Sequence, residues 1–368
     1  MKSFLIVLAV FAFAFWHYGA HFFLTILAIS FLIFFHELGH FLAARICKVS
    51  VEVFSIGFGE KLFSKRFGKT LWCVSALPFG GYVKLKGQND ADPTQTSLDA
   101  DSYNAVSPLG RIFILFAGPF FNLLLAFFIY FGVGFAGLQQ FSTRVGEVLP
   151  NSAAHNVLQK DDILLAINGE TLRSWSDISP TISATKGDLT LLVKRGEITF
   201  EAKVRPQIRE SKNIFGEIEF KPMLGIVSSN QTQSVRYTGL DGVAFAFSQT
   251  KESSRFILQG LQRLLSGVVP LNDLGGIVAI ADTTTKVSQS SLLAFFMLVA
   301  LISVNLGVLN LLPLPVLDGG HIVFNLYELL TKKEVNEKIR VTLTYASMAL
   351  LFGLMIFTII NDLTRLAS

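Results

Sequence analysis

Charge is scarce in this chain. Only 16% of its 368 residues are Asp, Glu, Lys or Arg, while 51% are hydrophobic, which excludes an ordinary soluble domain and makes a membrane protein the reading. Cysteine is scarcer still, with 2 residues. Cys47 and Cys73 have no CxxC spacing, so neither a disulfide framework nor a thiolate zinc site is expected, and both read as free thiols. An excess of one sign of charge is also missing. The formal net charge is +4, and no basic stripe with interleaved aromatics suggests a nucleic-acid partner. There is no internal repeat.

What is abundant is apolar sequence, including 35 phenylalanines, gathered in blocks near residues 3–44, 112–138, 290–312 and 341–361. Each of the last three can cross about 30 Å of hydrocarbon as a helix. The first block is longer. Residues 1–20 read as an extra N-terminal hydrophobic segment, with two alternatives: a signal peptide cleaved near Ala12-Phe13-Ala14, or a short helix turned at His17-Tyr18-Gly19 into a span over 22–44. With Lys2 inside, the spans deliver Arg45, Lys48, Lys61, Lys65, Arg66 and Lys69 to the cytoplasmic side, as the positive-inside rule requires. Residues 143–225 then fall outside.

Between the spans the pattern changes. Residues 50–88 alternate as strands, punctuated by Gly57-Phe58-Gly59 and Gly80-Gly81, and predict β-hairpins packed on the cytoplasmic side of the membrane core. Residues 89–104 are polar and acidic and read as a mobile loop. In 141–228 the order is strand, small-residue helix start, strand and an Asn168-Gly169 turn. The run 158–170 resembles the hallmark of a PDZ domain of the bacterial protease type, except that Asp161 stands where glycine is usual. Residues 229–289 predict an amphipathic helical connector, and 290–368 the second half of a membrane core begun at 21–140. The expected class is a polytopic α-helical membrane protein with membrane-associated β-hairpins and one periplasmic PDZ (α+β) domain.

The chemistry-bearing motif is His36-Glu37-Leu38-Gly39-His40. Residues four apart share a helix face, so both imidazoles can bind one zinc ion, and Glu37 beside it can take a proton from water. Three ionisable groups inside a span are costly unless paired or ligated, which makes the cluster functional by default. A hydrolytic zinc needs a third protein ligand. Asp318, in Asn310-Leu311-Leu312-Pro313-Leu314-Pro315-Val316-Leu317-Asp318, lies at the same end of its span as His40; its alternative use is as the N-cap of the next helix. His321 is a rival ligand.

These motifs, taken in order, resemble the site-2 proteases, and most closely the bacterial regulator-of-sigma-E protease type, over nearly the whole chain. They are HExxH in a span, Gly57-Phe58-Gly59, Gly118-Pro119 with Asn122, a PDZ domain and the run from Asn305 to His321. The resemblance implies one Zn2+ held by His36, His40 and Asp318, with Glu37 as general base and acid. It also implies that Asn310 holds the substrate backbone, and that the substrates are single-span membrane proteins in a bacterial inner membrane. Gly57 and Gly59 are expected to let a free strand edge take up the unwound substrate, or else only to shape turns. Pro313 and Pro315 are expected to stop the helix and leave Asn310 available. The PDZ domain would filter substrates by bulk or capture a new C-terminus. Two rival classes, a metal-free scaffold and a prenyl-protein or pheromone protease, are disfavoured by the complete ligand set and by the PDZ domain and hairpins.

Overall fold

Apolar runs become helices here because nothing in them supplies a competing backbone geometry. In the computed structural model, which describes residues 2–88, 97, 99–185 and 187–367, four helices are long and apolar enough to cross a membrane. They are Gly19–Ile46, Pro108–Ala136, Leu292–Asn310 and Glu337–Arg365. Residues 2–18 are helical as well, and Gly19 breaks the run with φ 69, a left-handed conformation that glycine adopts without a Cβ clash. Most side chains of 1–18 lie outside the described residues, as do 89–96 and 98 of the loop read at 89–104.

The chain divides into two compact units, residues 1–130 with 246–368, and residues 131–245. In the first, a bent hairpin, Val51–Phe67 and Thr70–Leu85, packs on the first span. Phe54 is fully buried, stacks on Trp72 at 4.5 Å and meets Phe34 and Phe41 edge-on, each at 5.7 Å. The strands curl so far that Phe54 has a partner on each side, Val83 and Trp72. Residues 53–56 are therefore interior, and no open edge lies there. Among the described residues, the stretch Gly81–Val83 pairs on one side only.

Close backbone approach holds the spans together, as expected where lipid removes the hydrophobic drive between helices. A Cβ at Gly39 would stand 2.3 Å from the Ala117 carbonyl oxygen, and one at Gly307 2.9 Å from that of Pro119. The helix Ile277–Ser290 is capped from another element: Asp362 accepts from the backbone N–H groups of Gly276, Val278 and Ala279 at 2.9 to 3.1 Å.

The second unit is built on a four-stranded sheet of Glu170–Thr171, Ile163–Ile167, Leu189–Arg195 and Ile198–Val204, in that order. Leu164, Ile167, Leu189, Leu191 and Val193 are fully buried beneath it. Asn168 and Gly169 make the turn with φ 52 and 83, both positive, as a two-residue hairpin of this type demands. Asp161 sits at φ 70, which accounts for glycine being usual there. Residues 232–235, read from the sequence as the start of a helical connector, instead pair as a strand with 138–141. The connector itself is two helices, Gly239–Leu265 and Ile277–Ser290, broken by a turn that opens after Pro270.

Asp162 is fully buried and held by Arg195 at 2.8 Å through both oxygens, which raises the Arg195 pKa further. Asp162→Ala is expected to destabilise this unit by about 2 kcal/mol, less than the roughly 3–5 kcal/mol of a fully buried pair because Arg195 keeps contact with solvent. Faster amide exchange across 189–195 in the intact protein would report it, and unchanged exchange would count against the pair's role.

Candidate metal centre

Three donors meet, two from the span Gly19–Ile46 and one from the helix that follows the span Leu292–Asn310. His36 and His40 lie one turn apart on Gly19–Ile46, with their Nε2 atoms 3.1 Å from each other. Asp318, the first residue of the helix Asp318–Thr331, sends one carboxylate oxygen to 3.2 Å from His36 Nε2 and the other to 3.5 Å from His40 Nε2. The cap position is Leu317, not Asp318, so the carboxylate is turned to the histidines rather than to its own helix. Donors about 2.0–2.2 Å from a tetrahedral zinc stand roughly 3.3–3.5 Å apart. The three separations, 3.1, 3.2 and 3.5 Å, come close to that spacing. These three residues are the metal-competent group among the described residues, and His321 is not part of it; its ring lies edge-on to Phe324.

Each imidazole is held by its other nitrogen. The His40 Nδ1–H donates to the Ile114 carbonyl at 2.9 Å, which leaves Nε2 with its lone pair forward. His36 Nδ1 faces the side-chain amide of Asn122 at 3.3 Å. Asn122 is fully buried, its own carbonyl accepts from Ser303, and its Oδ1 has no partner. An imidazole that ligates through Nε2 carries its proton on Nδ1, and the amide orientation that turns Oδ1 toward it satisfies both atoms. The contacts of Ile114 and Asn122 with the imidazoles are not legible in the sequence, where Asn122 stands out only as part of a motif, because a backbone carbonyl leaves no signature and a lone Asn in a span shows no partner.

Glycines shape the rest. A Cβ at Gly118 would lie 2.2 Å from His40 Nε2 and 2.9 Å from His36 Cε1, so both rings occupy the space a side chain would need. Pro119 follows inside the helix and removes a backbone donor from this turn. Gly118→Ala is therefore expected to lower bound metal and cut activity at least tenfold while the protein still inserts and folds; full zinc content in the variant would contradict the packing argument.

Glu37 lines the same cavity, of about 380 Å³, with Asn310, Gly80, Gly81 and Phe58. A Cβ on Gly81 would come within 3.3 Å of Glu37 Cγ, and one on Gly80 would overlap the Phe58 ring. The pair reads in the sequence only as punctuation, yet its bareness gives Glu37 and Phe58 their room. Asn310 Nδ2 is 3.5 Å from His36 Nε2. Gly57 and Gly59 adopt φ 89 and 85 and bend the strand on either side of Phe58, without lining the cavity themselves. Pro313 and Pro315 likewise stay outside the lining, in the loop that wraps Gly319 and Gly320, where any Cβ would stand 2.3 Å from backbone atoms of Leu311 and Leu314.

The family model described as peptidase family M50 matches residues 24–354. The chain belongs to peptidase family M50. A Campylobacter jejuni protein is 45% identical over 367 residues, covering 100% of this chain and 99% of its own. A Helicobacter pylori protein is 36% identical over 336 residues, 90% of this chain and 95% of its own. Both are named as candidate zinc metalloproteases. The Caulobacter vibrioides metalloprotease MmpA is 32% identical, covering 89% and 92%. A solved PDZ domain from Listeria innocua is similar over 24% of this chain and 96% of its own, at 20% identity and TM-score 0.20. M50 membership and the His-His-Asp donor set make the protein a zinc metalloprotease of the membrane.

Proposed function

We propose that this chain is an intramembrane zinc metalloprotease that hydrolyses peptide bonds in or near the transmembrane segments of single-span membrane proteins. Regulated intramembrane proteolysis of an anti-sigma factor, or removal of a remnant signal peptide, is the kind of task this suits. The observation that carries the reading is the convergence of His36, His40 and Asp318 beside Glu37, with His36, Glu37 and His40 on a helix long and apolar enough to cross a membrane. His36, His40 and Asp318 hold the metal. A bound zinc ion supplies Lewis acidity that polarises a scissile carbonyl and acidifies water.

Glu37 takes a proton from water and returns it to the leaving amine, within the cavity that its side chain lines. The Asn310 amide, adjacent to His36, donates to the substrate backbone and fixes the scissile carbonyl. A substrate helix hides its amides in its own hydrogen bonds and has to unwind first. The one-sided edge at Gly81–Val83, which lines the cavity, supports pairing with the unwound segment as an added strand. Gly57 and Gly59 serve this edge indirectly by bending the hairpin around Phe58, and Pro313 and Pro315 by ending the helix after Asn310.

The distribution of basic residues supports a bacterial inner membrane location with the catalytic end toward the cytoplasm. The run 158–170 and the sheet built on it support a periplasmic PDZ domain. That domain filters bulky substrates or binds a freshly exposed C-terminus.

The test is cleavage of a single-span substrate by the purified protein in detergent, with products mapped by mass spectrometry. We expect a cut near the substrate's cytoplasmic boundary, abolished by a zinc chelator and restored by added zinc. Chelator-insensitive cleavage, or cutting confined to soluble loops, would sink the proposal.

A further inference from the structure

Asp318 stands at the start of a helix whose buried residues, Gly319, Gly320 and Asn325, all lie within its first eight positions. Val323, Leu326, Tyr327 and Leu330 are exposed, and its packed end is the Gly319-Gly320 step seated against the 311–315 loop. Ten residues on from Asp318, Glu328 accepts from Arg111 Nη2 at 2.7 Å. The two side chains are 14% and 19% exposed, and Arg111 also donates from Nε to the Val106 carbonyl, so the guanidinium is fixed on both flanks. Arg111 lies on Pro108–Ala136, the helix that supplies the Ile114 carbonyl to His40, the Gly118 space under both rings, and Asn122 to His36.

We infer that the Arg111–Glu328 pair is a positioning device for the metal centre, locking the helix that carries Asp318 to the helix that orients both histidines. The inference rests on the ligand assignment given above. Without the pair, the Asp318 helix is anchored through Gly319, Gly320 and Asn325, all within its first eight residues, and its far half can pivot about them. Small rotations about that end redirect the carboxylate, because Asp318 is the residue at the pivot. Apolar side chains do little to resist this where the surroundings are lipid, whereas a charge pair withdrawn from water and fixed by a second hydrogen bond is both directional and strong.

The experiment is competition for zinc between a chelator of known strength and the full chain in detergent, with the parent, Glu328→Gln, Arg111→Gln, the swapped pair Arg111→Glu with Glu328→Arg, and Asp318→Asn. Each single neutral variant is expected to weaken zinc binding roughly 10–100-fold, as loss of an outer-sphere support does, and the swapped pair to recover most of it. Turnover at saturating zinc should fall less than affinity does. Unchanged affinity in both single variants overturns the inference. So does a lowered melting temperature of the metal-free protein with zinc affinity intact, which is the signature of a tie that serves stability alone. Parent-like zinc binding by Asp318→Asn would instead overturn the ligand assignment itself, and the inference with it.

Discussion

Replacing Glu37 with glutamine is expected to stop peptide hydrolysis while leaving zinc in place. The exchange keeps the side chain's length and shape, so its seat against Gly81 and the neighbouring imidazoles survives. What disappears is the ability to accept a proton from water and hand it on. General acid–base groups of this kind contribute roughly 10²–10⁴-fold, and in the proposed mechanism one carboxylate serves both proton transfers. Metal analysis of the same preparation separates the two consequences. An inactive variant with one zinc per chain supports the assignment, whereas residual cleavage near the parental rate would remove Glu37 from the mechanism.

Asp318→Asn is expected to lose both zinc and activity. The carboxylate reaches both histidines, at 3.2 and 3.5 Å, and is the only anionic donor of the three. An amide cannot neutralise a divalent cation, and its NH2 group can turn toward the imidazole lone pairs it should leave free. The loss of affinity should exceed the roughly 10–100-fold typical of outer-sphere changes. Added zinc should restore a fraction of turnover at most. Stoichiometric zinc in this variant would return His321 to consideration as the third ligand.

Most of this arrangement is legible in the sequence where it depends on local periodicity. The apolar blocks give the spans to within a few residues, and HExxH on a helix places His36 and His40 on one face. Asp318 is legible through the argument that a hydrolytic metal needs a third ligand at matching depth, and through the resemblance of the run from Asn305 to His321. The curl of the hairpin is not legible, because pairing both sides of 53–56 depends on bends at Gly57 and elsewhere that alternation cannot reveal. The sequence points to an open edge near Gly57-Phe58-Gly59, where Phe58 pairs with Leu77 alone, and does not reveal the second one-sided stretch by the cavity, Gly81–Val83. The strand at 232–235 escapes notice for a similar reason: its partner, 138–141, lies almost a hundred residues earlier, and a short polar strand has no pattern of its own.

The distribution of the ligands along the chain bears on when the protein can first act. His36 and His40 emerge early in synthesis, but Asp318 comes from the second half of the membrane core, after the whole 131–245 unit has been made. A ribosome that stalls before the final spans leaves two histidines without their carboxylate. On the proposed ligand set such a fragment lacks its third metal ligand and is expected to be unable to cut its neighbours, so that proteolytic competence would arrive only once Asp318 has been made.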